Sequence, residues 1–444
     1  MRFYESAPMA DRDLPEVRAL YEALPYPPRD PEDERKGLAM TWVDDLPMIA
    51  HYGFAGRARF DAGFRALVAG GGTGDATIYL AEQLRGTGAE VVHLDFSAAS
   101  TAIAKRRAEV RGLENIRWVE ASLLDLPALG LGSFRYINCV GVLHHLADPD
   151  AGLEALLSAL EPDGAMGLMV YGAIGRTGVY QMQSLLSLVS EGEADPKARI
   201  DQARQVLSGV PPANWFKRGE DLYNDHRTSD AGLADLLLHP CDRAYTVSEL
   251  HEWLTDRRGL SLAFTDVQRG RSSYVPRLVA GPHPPRVLAR IETLPERRQQ
   301  AIAELWTGRL QTHSFFATRR PAVAPYGDAD FVPFLFHEPV TGPELAKIFA
   351  RSRGQPFVLD HQWTGVSVRV TPGPHVPAIL ERIDGTRTFG EIFAQVRELP
   401  AFRKAPTDDA ALFAEFREAY EVLNAIDRLL LRHKDHPLPP RPTA

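Results

Sequence analysis

The sequence predicts an α/β protein built on a doubly wound, seven-stranded sheet. A helical insertion and a small C-terminal α+β domain complete it. Three observations carry that expectation. Between Arg65 and Val170, short apolar runs alternate with stretches of helical periodicity, and alternation at this spacing calls for right-handed crossovers between parallel strands. The first run breaks into the glycine cluster Gly70-Gly71-Gly72-Thr73-Gly74 before its helix. After a long polar and helical excursion, strand-like runs return at 260–267 and 313–319.

Each element follows from its local pattern. Helical spacing over 14–24 stops at Pro25, Pro27 and Pro28, so residues 1–60 read as an N-terminal cap or lid. The first strand is expected at 65–69 and its helix at 76–84. The second strand and helix follow at 90–94 and 99–111, with further strands at 116–120 and 136–140. A helix over 152–160 leads to a fifth strand at 165–170. Residues 61–320 form one expected domain, with an insertion at 175–245 of the kind that builds a substrate side above a parallel sheet. A charged helix is expected over 286–310. Pro321, Pro325, Gly327 and Pro333 mark a linker. Residues 334–434 change grammar, with a hairpin at 357–370 turning on Thr364-Gly365 and helices at 376–383, 388–396 and 409–425. The proline-rich tail, 435–444, reads as disordered.

Composition bounds the function. The 444 residues suffice for two or three domains at roughly 150 residues each. With 44% hydrophobic and 24% charged residues, global disorder is excluded. Fifty basic against 58 acidic side chains, a net charge of -8, argues against a surface made to wrap a polyanion. Cys139 and Cys241 are the only cysteines, so neither a disulfide framework nor a multi-thiolate zinc site is expected. The first residues lack the apolar core of a signal peptide, and no run nears the ~20 apolar residues of a membrane span. The expected address is the cytoplasm.

The glycine cluster carries the sharpest chemistry. Gly70, Gly72 and Gly74 let the chain turn tightly and let a ligand approach its backbone. Asp95 closes the second strand 21 residues after Gly74, where a carboxylate can accept both hydroxyls of a ribose. No Lys-Ser/Thr follows the glycines, and the spacing departs from the dinucleotide fingerprint, so a ribose-bearing ligand without phosphate fits best. Five segments then occur in order: 68–74, 93–97, 119–127, 138–146 and 160–165. Together they resemble the class I S-adenosylmethionine-dependent methyltransferases and their Rossmann-like fold. The resemblance implies S-adenosylmethionine as cofactor. It puts Gly70, Gly72 and Gly74 near the methionine part and Asp95 with Phe96 at the ribose. Ser122 and Leu123 belong to its adenine side, and Val140, in the fourth segment, is a further cofactor-binding position. Two positions depart from the family pattern: Val68 stands where an acid is frequent, and Ser122 where many members carry aspartate.

Methyl transfer from a sulfonium depends chiefly on an aligned nucleophile, since orientation supplies about 7–11 kcal/mol. The fourth motif lacks the Asn/Asp-Pro-Pro-Tyr/Phe of exocyclic-amine methylation on bases. His145, as a general base near neutrality, and Tyr171 are the catalytic candidates. His144 is a substrate-side candidate. The competing reading has one histidine capping a turn and the other packing beneath the cofactor. Tyr26 and Arg29 are lid and substrate candidates. Asn224–Arg227 and 236–243 resemble a bacterial methyltransferase subgroup sometimes fused to tetratricopeptide repeats, which adds His226 to the substrate side. No metal is expected, because the spacing of His226, His239, Cys241 and His251 matches no familiar zinc pattern. Residues 357–433 resemble small peptide-binding winged-helix domains, in which a peptide adds a strand to the hairpin edge. The expected acceptor is therefore a protein or peptide side chain. The alternatives are a small-molecule hydroxyl, amine or carboxylate, with RNA ranked third, or a regulatory protein that binds the cofactor without turnover. The oligomeric state is not legible.

Overall fold

The computed structural model describes residues 14–439 apart from 267–268, 338–339, 363 and 405–406. The end of the expected sixth strand at Val267 and the tail from 440 onward lie outside the described residues.

The main sheet contains β1 (Arg65–Ala69), β2 (Glu90–Asp95), β3 (Ile116–Glu120), β4 (Phe134–Val140), β5 (Leu160–Gly172), β6 (Ala244–Tyr245), β7 (Ser261–Thr265) and β8 (Thr312–Thr318). Seven of them run in the order β3-β2-β1-β4-β5-β8-β7, and the two-residue β6 pairs beside the end of β5. The first five are parallel, whereas β8 lies antiparallel to both β5 and β7. A reversed strand near the edge is a common departure from the all-parallel expectation. The connecting helices Asp75–Gln83, Ala98–Arg111 and Pro149–Ala159 fall close to their expected places. Ser97 and Asp148 cap the second and third of these by accepting backbone N–H groups.

Both faces of the sheet are covered. Leu153 and Leu156 pack with Trp253 and Leu254 on one side. On the other, Leu46, Ile49 and Tyr52 pack with Leu80 and Leu84. Full burial of one such side chain stabilises the fold by about 1.5–3 kcal/mol. Val43 through Tyr52 thus lie inside the core. The winding of the sheet reverses between β1 and β4, which leaves a crevice at their carboxyl ends.

The insertion carries helices Thr177–Val189, Pro196–Gly209, Trp215–Arg218 and Asp230–Leu237. Val179, Met182, Phe216 and Leu233 give it a small core of its own. The expected charged helix over 286–310 is broken: a short turn Leu288–Ile291 precedes Glu296–Thr307, which starts behind Pro295.

Toward the C-terminus, β9 (Phe331–Leu335) pairs antiparallel with β12 (Leu429–His433), and β10 (Phe357–His361) pairs with β11 (Val366–Val370) as a hairpin. β9 falls across the stretch read as a linker, because Phe331, Val332 and Phe334 are buried against distant partners. Helices Gly342–Ala350, Val376–Leu380, Phe389–Arg397 and Asp409–Ala425 complete this small α+β unit. Thr341 with Glu344 and Thr388 with Glu391 form reciprocal capping boxes at two of their starts.

Candidate functional site

A cavity of about 520 Å³ opens at the carboxyl ends of β1, β2, β4 and β5. Gly70, Gly72, Asp95, Phe96, Ser122, Leu123 and Val140 line one end, and His145, Tyr171 and Tyr26 line it as well. Sequence motifs scattered over 150 residues therefore meet in one crevice.

At the first end the backbone forms the wall. Gly70 and Gly72 adopt φ of 75° and 51°, and a Cβ on Gly70 would run into Val142. Asp95 is held by two backbone donors: Gly72 N–H reaches Oδ2 at 2.7 Å and Ser97 N–H reaches Oδ1 at 2.8 Å. Burial pushes its pKa up, and these two bonds oppose that shift. The Ser122 hydroxyl accepts Leu124 N–H at 3.1 Å, which fixes the turn at the end of β3.

The other end is aromatic and charged. The insertion contributes Asp235, the N-terminal helix contributes Tyr21, and β5 contributes Tyr171. Tyr21 O–H donates to Asp235 Oδ1 at 3.0 Å, and Tyr171 O–H to Oδ2 at 3.3 Å. Burial drives the Asp235 carboxyl up and both phenols up. The Arg176 guanidinium lies 3.6 Å from the Tyr171 ring centre and pairs with Asp242 at 2.9 Å. His145 donates from Nδ1 to the Cys241 carbonyl at 2.8 Å, and its ring centre lies 3.8 Å from that of His239, tilted by 33°. Burial brings the pKa of His145 down to about 4, so the expectation of a base titrating near neutrality is corrected: this imidazole is neutral across the physiological range. His145, Asp235 and His239 offer ligand atoms within 4.8 Å of one another.

Four expected residues stand away from the cavity wall. Gly74, at φ 98°, starts helix Asp75–Gln83 and packs closely on Ala104. Arg29 forms a bidentate pair with Asp75, at 2.6 and 2.9 Å, and Asp75 also takes the buried Arg107. Arg29 therefore pins the N-terminal segment to the sheet domain. His144 is fully buried against Tyr171, with neither ring nitrogen hydrogen-bonded. His226 packs edge-on to Phe216 and lies 3.3 Å from Glu220.

Tyr21, Asp225, Asp235 and Arg176 also line the cavity; Tyr21 and Asp225 lie in segments that the sequence marked, but none of the four was expected as a site residue. Asp235 did leave a trace: it is the one acid among Ala231–Leu237, which is otherwise apolar. Tyr21 opens the aromatic, proline-bent stretch ahead of the sheet, but its pairing with Asp235, 214 residues away, left no local signal.

Comparison with known proteins agrees with this geometry. The methyltransferase domain family matches residues 67–166. An uncharacterized protein of Synechococcus sp. is 33% identical over 350 residues, covering 76% of this chain and 79% of its own. The tRNA 5-carboxymethoxyuridine methyltransferase of Escherichia coli is 35% identical over 198 residues, 42% of this chain and 72% of that enzyme. In fold, the chain is similar to PKMT2 from Rickettsia typhi, with a TM-score of 0.58 at 16% identity, over 89% of this chain and 76% of that one. PKMT2 also has a structure in complex with AdoHcy, similar at a TM-score of 0.56. The fold and the crevice define a Rossmann-like methyltransferase. The chain belongs to the class I S-adenosylmethionine-dependent methyltransferases. It is an enzyme with S-adenosylmethionine as methyl donor, which sets aside the alternative of a binder without turnover. Among the described residues, no helix is long and apolar enough to cross a membrane.

Proposed function

We propose that this enzyme methylates a side chain of a protein or peptide. In this reading Gly70 and Gly72 approach the methionine part of the donor, and Asp95 accepts the ribose hydroxyls. Phe96 flanks the ribose, Ser122 and Leu123 frame the adenine, Val140 lines the same cofactor end, and the acceptor enters beside Tyr171 and His145. The donor set suits the cofactor: a bare glycine backbone, a carboxylate held at a strand end, and an apolar slot beyond it. Bound there, S-adenosylmethionine supplies an electrophilic methyl group, and the chain's own task is to orient the nucleophile and exclude water.

The observation that carries the acceptor class is the outer edge of β10 over residues 357–360. Among the described residues this strand pairs only with β11. A cleft of about 400 Å³ runs along it, lined by Ile348, Arg351, Phe357 and Val358. An edge at 357–360 that among the described residues takes no second strand, beside an apolar cleft, suits an added peptide strand. RNA is a second reading, favoured by the likeness to the Escherichia coli tRNA enzyme. The net charge of -8 and the carboxylates at the acceptor end oppose it.

Cell lysate incubated with the enzyme and methyl-labelled S-adenosylmethionine tests the proposal. Label is expected in acid-insoluble, protease-sensitive material. Val358→Asp should lower that signal about 10-fold while S-adenosylhomocysteine still binds. Label that is nuclease-sensitive, or confined to small molecules, would refute the protein acceptor.

A further inference from the structure

We propose that the acceptor is an amine nitrogen, received in its ammonium form between Asp235 and His145. The inference rests on methyl transfer taking place in this cavity, and it holds whether the amine belongs to a protein or to a small molecule.

The directions of the hydrogen bonds carry it. Nδ1–H of His145 donates to the Cys241 carbonyl, which leaves the lone pair on Nε2. Among the described residues that nitrogen makes no hydrogen bond. The Cys241 N–H donates to His239 Nδ1 at 3.1 Å, so the proton of the neutral His239 ring sits on Nε2, 3.4 Å from the Tyr21 oxygen. Tyr21 in turn donates to Asp235, as does Tyr171. A metal ion would need a lone pair from each of His145, Asp235 and His239. Here His239 presents an N–H instead, and two acceptors remain, the Asp235 carboxylate and His145 Nε2. Two acceptors flanked by the rings of Tyr21 and Tyr171 complement a cation that carries N–H donors.

The charge balance points the same way. The groups facing Asp235 are Tyr21, Tyr26, Tyr171, His145, His239 and Arg176. Arg176 is neutralised by Asp242. Among the described residues Asp235 makes no ion pair, and neither does Asp225, which faces Tyr26 at the same end of the cavity. Two carboxylates without a cation attract an ammonium and repel a carboxylate or phosphate acceptor.

The chemistry then balances. An ammonium has no lone pair, so its proton moves first to Asp235, giving a neutral carboxyl in a site where burial favours that form. The freed nitrogen pair forms the N–C bond to the methyl carbon as the C–S bond of the donor breaks. That bonding pair stays on sulfur, which leaves S-adenosylhomocysteine. The product nitrogen is a methylated ammonium, and Asp235 returns its proton to solvent as the product leaves.

The test uses the full chain saturated with S-adenosylhomocysteine and three probes of matched shape: butylamine, butan-1-ol and butyrate. Ligand-observed NMR at neutral pH should show butylamine binding about 10-fold more tightly than either of the others, as a charge-assisted contact allows. Asp235→Asn should erase that preference while S-adenosylhomocysteine affinity stays within about 3-fold. Equal binding of the three probes, or a preference for butyrate, overturns the proposal. So does an Asp235→Asn variant that loses S-adenosylhomocysteine in step, because the carboxylate would then serve the cofactor's own amino group. One equivalent of Zn2+ held by the wild type and lost in the variant overturns it in favour of a metal site. Should Asp235→Asn fail to fold, Tyr171→Phe removes one donor to the carboxylate and should still reduce the butylamine preference. A methyl label on protein that mild base releases as methanol marks an ester; it would sink the amine and leave the protein acceptor standing. A label on small-molecule amines alone would do the reverse.

Discussion

Asp95 is held in place by backbone amide donors, where other acids of the sheet domain and insertion are held by arginine. Asp75 takes Arg29 and Arg107, and Asp242 takes Arg176. Asp95 instead receives the Gly72 and Ser97 amides, which use one lone pair on each oxygen and leave the others for a ligand. In the proposed role Asp95 accepts both ribose hydroxyls, so replacing it with alanine removes that acceptor and also frees the glycine loop. Asp95→Ala should therefore weaken S-adenosylhomocysteine binding about 10- to 100-fold, or about 1.4–3 kcal/mol. Calorimetric titration of both proteins measures this, and equal affinities would remove Asp95 from the cofactor site. Residues of this kind are legible in sequence because strand end, glycine turn and acid lie within one βαβ unit. Asp235 was not, since its meaning depends on Tyr21 and Tyr171, which reach it only through tertiary packing. His144 shows the opposite error. A histidine beside His145 reads as functional, yet it is sealed beneath Tyr171 with both nitrogens unpartnered.

Elements follow the same rule of range. β1 to β5 and their helices were legible because each carries its own periodicity and turn residues. Helix Phe389–Arg397 was also visible, through the Thr388–Glu391 box. β9 was hidden because Pro333 argues locally against a strand, and its register partner Leu431 comes from the far end of the chain. The helices of the insertion were visible as helices, but their packing was not. Gly178, in the first turn of helix Thr177–Val189, sits where that helix crosses Trp215–Arg218, and a Cβ there would meet the backbone of Phe216. Alanine favours an isolated helix by up to about 1 kcal/mol over glycine, whereas overpacking costs about 1–3 kcal/mol. The second effect should win in Gly178→Ala. Its thermal midpoint should drop, and limited proteolysis should cut earlier within 190–230. A midpoint that rises would mean the two helices do not cross at Gly178.

Across the whole molecule, the segment before the sheet ties its two ends together. Trp42, on the cavity wall, donates to Asp427 at 3.3 Å, and Thr265 donates to the same carboxylate at 2.6 Å. Tyr52 donates to it as well. A few residues along, His51 accepts Leu431 N–H on Nδ1 at 2.9 Å and lies 3.1 Å from the Asn424 side chain through Nε2. The crevice wall and the C-terminal unit thus share one buried seam, and protonation can test it. Burial brings the pKa of His51 down to about 3, against about 6.5 in the unfolded chain. As pH falls below 6.5 the unfolded state takes up this proton first, so the contribution of His51 to stability is complete above that value and is lost on acidification. The loss is about 1.4 kcal/mol per pH unit down to the folded value. His51→Gln lacks this linkage while other buried groups titrate alike in both proteins. The stability advantage of wild type over His51→Gln, measured by urea unfolding, should therefore shrink by about 2 kcal/mol between pH 7 and pH 5. An advantage that is constant with pH would mean His51 is not held neutral in the seam, and the coupling of the cavity wall to the C-terminal unit would rest on Asp427 alone.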